Sequence, residues 1–108
     1  VAGKTTVGTI VLVEGLLDSM MAWQHGYSNV LALLGCHCTQ FQAVKIMAHA
    51  TMIISALDND AAGELGHSEL GELISLPIKR FVFPKGVKDI GEIGKRDFLR
   101  ELERLGAI

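Results

Sequence analysis

At 108 residues, 49% hydrophobic and 20% charged, the chain has the size and composition of one packed domain and not of a disordered segment. Its formal net charge of −2 is not that of a strongly basic nucleic-acid module, so any polyanion would be met through local patches or bound metal. No apolar stretch approaches the ~18 residues of a membrane span, and the opening VAGKTT lacks the apolar region of a secretory signal.

The sequence starts at Val1 rather than Met, as expected of a piece excised or processed from a longer protein. Both cysteines, Cys36 and Cys38, sit in GCHC, too close to close a disulfide readily, and a cytoplasmic location is the expectation.

TIVLV, residues 9–13, reads as a short buried strand rich in β-branched residues. Glu14 and Gly15 follow at once. LLDSMMAWQHG then predicts a helix with Leu16, Met20 and Trp23 at helical spacing, Leu17 and Met21 beside them, and Gly26 as its stop. NVLALLG is a second all-apolar strand closed by Gly35. Thr39 and Gln42 form a capping-box pattern that opens a second helix, with Phe41, Val44, Met47 and Ala48 expected inward. TMIISAL, residues 51–57, is a third strand. A third helix is expected over about 61–74, with Leu65, Leu70, Leu73 and Ile74 as its apolar side. IKRFVF is a fourth strand, and the loop PKGVKDIGEIG leads to a last helix carrying Phe98, Leu99, Leu102 and Leu105 inward, with Gly106 as its stop.

Short buried strands alternating with helices indicate a parallel sheet covered on both faces. In such sheets the functional crevice lies at the carboxyl ends of the strands. Glu14 directly follows the first strand, Asp58 and Asp60 directly follow the third, and Asp89 lies in the loop after the fourth. Asp58 and Asp60 are two residues apart, which in extended chain points both side chains the same way. Carboxylates so placed repel each other unless a cation or proton sits between them, and oxygen donors suit magnesium, calcium or manganese. Asp18, in the first turn of the first helix, could face the same mouth.

Acids at helix starts also arise because they complement the helix dipole and cap amides. Written as a calcium loop, Asp58 to Glu69 matches positions 1, 3, 6, 8 and 12, but Ala62 supplies no oxygen at position 5 and the preceding segment is a strand. GKT at Gly3 to Thr5 is a weak phosphate-loop signal, lacking an earlier glycine and strand. CHC at 36–38 is a poor zinc site, because three successive residues do not wrap a tetrahedron, and a turn before Thr39 is the simpler reading. His25, His49 and His67 read as isolated surface or helix-end residues. Lys85 and Lys88, flanking Gly86 beside the acidic edge, could meet phosphates or be merely solvated.

VLVEGLLD, LLGCHCTQFQ, ALDNDAAG and KGVKDIGE, in that order, resemble a Toprim domain, the catalytic module of topoisomerases and primases. The pattern is most similar to DnaG-type bacterial and phage primases and primase-helicases, and it covers residues from about 9 to 105. The resemblance implies a Rossmann-like α/β domain: a four-stranded, mainly parallel sheet with helices on both faces. It implies one Toprim domain over 1–108, part of a longer primase-like protein. Glu14 then corresponds to a glutamate serving as general acid/base or metal ligand, and Asp58 and Asp60 to metal-binding aspartates. Asp18 and Asp89 correspond to further acids lining the metal site. Gly91 stands where such primases often carry another acid.

The implied activity is Mg2+-dependent (or Mn2+-dependent) nucleotidyl transfer, making RNA primers from NTPs on a single-stranded DNA template, with a replicative helicase as a further partner and no membrane. A metal-dependent nuclease and a non-catalytic nucleic-acid-binding Toprim module are the alternatives.

Overall fold

The computed structural model describes residues 8–35 and 37–108. The GKT stretch and Cys36 lie outside the described residues. The elements follow as β1 (Thr9–Val13), α1 (Leu16–Gln24), β2 (Val30–Ala32), α2 (Gln40–His49), β3 (Met52–Ser55), α3 (Ala61–Leu73), β4 (Ile78–Arg80) and α4 (Lys95–Arg104). A 3-10 turn, Ile90–Glu92, interrupts the loop before α4. The four strands are parallel, in the order β2-β1-β3-β4.

Both faces of this sheet are covered, which is why β1 is apolar without alternation. Val11 and Val13 point into a core shared with Ala22 of α1 and with Phe98 and Leu102 of α4. Ile10 and Leu12 point the other way, against Ala43 and Ile46 of α2 and Leu70 of α3. Helices α1 and α4 thus cover one face, and α2 and α3 the other. The edge strands are shorter than their apolar runs suggest: β2 and β4 keep three residues each, and Leu34 beyond β2 is exposed. An edge strand has one neighbour, so its ladder ends as soon as that neighbour diverges.

Local signals behave as expected at the helix ends. Thr39 Oγ1 accepts from the Gln42 N–H at 3.1 Å, and the Thr39 N–H donates to Gln42 Oε1 at 2.8 Å. Gly26 and Gly106 terminate α1 and α4 at φ 104° and 82°, a left-handed conformation that costs glycine little.

The inward faces of three helices differ from the expected ones. On α1 the buried residue is Ala22, whereas Leu16, Leu17, Met20 and Trp23 face outward, Trp23 with 63% of its surface exposed. On α2 the inward residues are Ala43 and Ile46, with Met47 at the margin; Phe41, Val44 and Ala48 are exposed. On α3 Leu65 is exposed, and Gly63 and Gly66 join Leu70 on the buried stripe. The common feature is close approach: each helix meets the sheet through Ala or Gly, with Ile46 on α2 and Leu70 on α3 beside them, and most of its other large side chains lie outward. The last helix follows expectation, with Phe98, Leu102 and Leu105 buried and Leu99 partly so.

Gly63 has a specific role. A Cβ there would collide with the Asp58 carbonyl oxygen, so α3 can begin only where this residue is glycine. Gly71, further along the same helix, is exposed and has open space about it. Gly63→Ala should therefore lower stability by about 1–3 kcal/mol. Gly71→Ala should raise it by about 0.5–1 kcal/mol, since alanine loses less backbone entropy in a helix. Urea unfolding of the two variants checks the pair, and equal effects would contradict the packing described.

Candidate metal centre

The strand order reverses direction between β1 and β3: the chain steps from β1 out to β2, then returns to the far side of β1. That is the topological switch point, where the loops leaving adjacent strands diverge and open a crevice. Glu14 leaves β1 and Asp58 follows β3 on either side of it. The Asp58 N–H donates to Glu14 Oε2 at 2.8 Å, tying the two strand ends together.

The other acids gather around this link, each placed by a backbone contact. Asp60 caps α3, Oδ1 accepting from the Gly63 N–H at 2.7 Å. Asp89 caps the 3-10 turn, Oδ1 accepting from the Glu92 N–H at 3.0 Å. Asp18 is the most engaged: Oδ2 accepts from Gly15 N–H at 3.0 Å and Oδ1 from Gly91 N–H at 2.8 Å. Gly91 is thus a donor to the site, and a Cβ there would press on Asp18 Oδ1 and Asp89 Oδ1. A side chain at this position would crowd both carboxylates.

Asp58 differs from its neighbours. Its Oδ1 is buried and has no hydrogen-bond partner among the described residues. Burial first, then the charges of Glu14, Asp18, Asp89 and Asp60, push its carboxyl from the ordinary 3.8 up to about 6. The Asp89 carboxyl is also raised, by burial first and then by Asp18 and Glu92, against the opposing Glu92 N–H and Lys88. Lys88 Nζ stands 3.9 Å from Asp60 Oδ2 at the rim. Lys85 is exposed on the same loop.

Among the described residues no three Asp, Glu, His or Cys side chains stand close enough to wrap an ion as they are. The donor set nonetheless suits a hard cation: all candidates are carboxylate oxygens, one of them buried and unpartnered. Glu14, Asp58 and Asp60 are the residues that could hold it. Asp18 and Asp89 lie next to them, lining an adjoining groove of about 700 Å³.

The weaker motif readings resolve. Gly63, Leu65 and Glu69 lie inside α3, so the calcium-loop reading fails: a coordinating loop cannot also be a helix. His37 Nδ1 sits 2.6 Å from Glu69 Oε1, and Cys38 is buried in the core. His25 and His49 are at helix ends, but His67 is half-buried in the middle of α3, not at a surface or an end.

Arg80 is a positioning residue that the sequence reading passed over as part of a strand. Its guanidinium donates to the carbonyls of Ser55, Leu57 and Asp58 at 3.0, 2.7 and 3.0 Å, and Nε donates to Glu64 Oε1 at 2.8 Å. One fork thus holds the β3–α3 turn. The signal was there, since a cation in an apolar strand needs acceptors. Asn59 fastens the turn from the other side, its N–H donating to Lys88 O at 2.6 Å and Nδ2 to Val87 O at 3.2 Å.

Arg80→Met removes those donors while keeping much of the apolar stem. It should cost about 2–3 kcal/mol, because the carbonyls are left unpaired, and Arg80→Lys should recover only part of the loss. Chemical denaturation measures both. Asp58 gives a pH test: a carboxyl whose folded pKa lies above its unfolded one stabilises the fold only while protonated. In EDTA, stability should fall as pH rises from about 4 through about 6, and Asp58→Asn should flatten that part of the profile. A native profile superimposable on that of the variant would contradict the assigned environment.

Residues 11–93 match the family described as Toprim-like. A DNA primase of Clostridium acetobutylicum is 34% identical over 116 aligned residues, covering 99% of this chain and 19% of that protein. The chain therefore spans about a fifth of the length of this relative. Among solved structures, the Aquifex aeolicus primase (zinc-binding and RNA polymerase domains) superimposes with a TM-score of 0.78 at 27% identity, over 90% of this chain and 26% of that one. The primase fragment of the bacteriophage T7 primase-helicase shares the fold, with a TM-score of 0.70 at 22% identity over 89% of this chain and 42% of that one. With an acid-lined switch point on a four-stranded parallel sheet and a family match over most of its length, the chain belongs to the Toprim-like family.

Proposed function

We propose that the chain is the catalytic Toprim domain of a DnaG-like primase, transferring ribonucleotides to make RNA primers on single-stranded DNA during replication. The observation that carries this reading is the buried, unpartnered Asp58 Oδ1 at the β1/β3 switch point, surrounded by four further carboxylates. The primase relatives support the reaction class. In this reading Glu14, Asp58 and Asp60 hold Mg2+, or Mn2+ in its place, and Asp18 and Asp89 complete the acidic lining. NTPs and the template are substrates, a replicative helicase is a further partner, and the location is cytoplasmic. Among the described residues no helix is long and apolar enough to cross a membrane.

When bound, a divalent cation supplies charge neutralisation on the entering and leaving oxygens of phosphoryl transfer. The chain's own residues do the rest. Glu14 has one oxygen fixed by the Asp58 N–H, leaving the other for a ligand or for the proton of an attacking hydroxyl. Arg80 and Asn59 hold the Asp58–Asp60 turn so that its carboxylates keep their place when phosphates approach. Lys88, with Lys85 on the same loop, offers cations at the rim for phosphate oxygens.

The test is primer synthesis on a single-stranded template by the full-length protein with Mg2+. Glu14→Gln and Asp58→Asn should each lower the rate by at least ~100-fold while circular dichroism stays native. Gln still accepts the Asp58 N–H, so folding is spared. Full activity in both variants would overturn the reading, and Mg2+-dependent strand cleavage without primer synthesis would replace it with a nuclease.

A further inference from the structure

Three grooves follow one another along α1, the first of them beside the site. The groove of about 700 Å³ beside Asp18 and Asp89 shares Met20 and Gln24 with a shallower hollow of about 540 Å³ that reaches Trp23. At the next residue, His25, a third groove of about 650 Å³ begins, bounded by Lys95, Arg96 and Arg100 of α4. The nine residues of α1 make this path about 13 Å long.

The two ends differ in charge. Among the described residues, Lys95, Arg96 and Arg100 have no ion-pair partner; the pairs formed are His37–Glu69, Arg80–Glu64, Lys88–Asp60 and Arg104–Glu101. Their placement works against α4 itself. Lys95 and Arg96 occupy the first turn, where the helix dipole disfavours cations, and Arg96 and Arg100 are like charges four residues apart. Asp97 in the same turn and Glu103 at the groove wall soften this without pairing. His25 fixes the groove floor, Nε2 meeting the Ile93 carbonyl at 2.9 Å. Between the cations and the acids lies an exposed apolar surface made by Leu17, Met20 and Trp23, with Leu17 at 75% exposure.

Cations at one end and an exposed indole along the path are the chemistry of single-strand binding: charge follows the phosphates, and bases stack on aromatic faces. We propose that these grooves together form a track for single-stranded nucleic acid, with its phosphates on Lys95, Arg96 and Arg100, a base on Trp23, and its path leading to the acidic centre. This rests on the reading of that centre as one that works on nucleic acid.

Fluorescence anisotropy of this chain with a labelled oligothymidylate of roughly 12 nucleotides, in EDTA, tests the track apart from the catalytic centre. The triple variant Lys95→Ala, Arg96→Ala, Arg100→Ala should bind at least tenfold more weakly. Its salt dependence should be shallower by about two, or ~0.7 per phosphate lost. Trp23→Ala should weaken binding at least fivefold without changing the salt slope, and Lys45→Ala, on the opposite face, should bind as the native chain does. No binding at about 100 µM chain, a triple variant equal to native, or an equal loss in Lys45→Ala would each overturn the track. Glu14→Gln and Asp58→Asn should bind at least as tightly as native in EDTA. The track and the catalytic reading therefore fail on separate measurements.

Discussion

The structure depends on one hydrogen bond between two strand ends, from the Asp58 N–H to Glu14 Oε2. It joins the loops that leave β1 and β3 at the point where the sheet changes direction. Beyond the β1–β3 ladder, it sets an attraction against the repulsion of two neighbouring carboxylates. The surrounding devices serve the same turn. Arg80 gathers three of its carbonyls, Gly63 lets α3 approach the Asp58 oxygen, and Asn59 ties it to the Lys88 loop. The result is a rigid mount for negative charge.

The acids do two jobs at once. Asp60 and Asp89 cap helical turns, Asp18 accepts from Gly15 and Gly91, and Glu14 accepts from Asp58. Capping and ligation are not rivals here, because a carboxylate offers about four lone-pair positions and a cap uses one. The cap fixes the rotamer and leaves lone pairs for whatever enters, although on Asp18 both oxygens already accept a hydrogen bond. Asp58 lacks such a cap, and its buried, unpaired oxygen marks the centre of the cluster.

The outward apolar side chains of α1 and α2 follow from how the sheet is covered. Ala22, Ala43, Gly63 and Gly66 bring their helices close to the strands. Ile46 and Leu70 still pack inward, whereas Leu16, Leu17, Met20, Trp23, Phe41, Val44 and Leu65 lie on the outer sides. This gives α1 an exposed apolar surface of Leu16, Leu17, Met20 and Trp23.

Periodicity established the alternation of strands and helices, and the capping chemistry at Thr39, Gly26 and Gly106 was legible because it is local. That Glu14, Asp58, Asp60 and Asp89 share one end of the sheet was also readable, since each follows a strand and parallel strands end on the same side. Tertiary structure alone decided which strand lies beside which, and so put Glu14 against Asp58. It alone turned Leu16, Met20, Trp23 and Phe41 outward, because helical spacing fixes a face but not what the face meets. It alone gave Arg80 its partners: a cation in an apolar strand calls for acceptors, but the three carbonyls arrive from a segment more than twenty residues away, which no local pattern identifies.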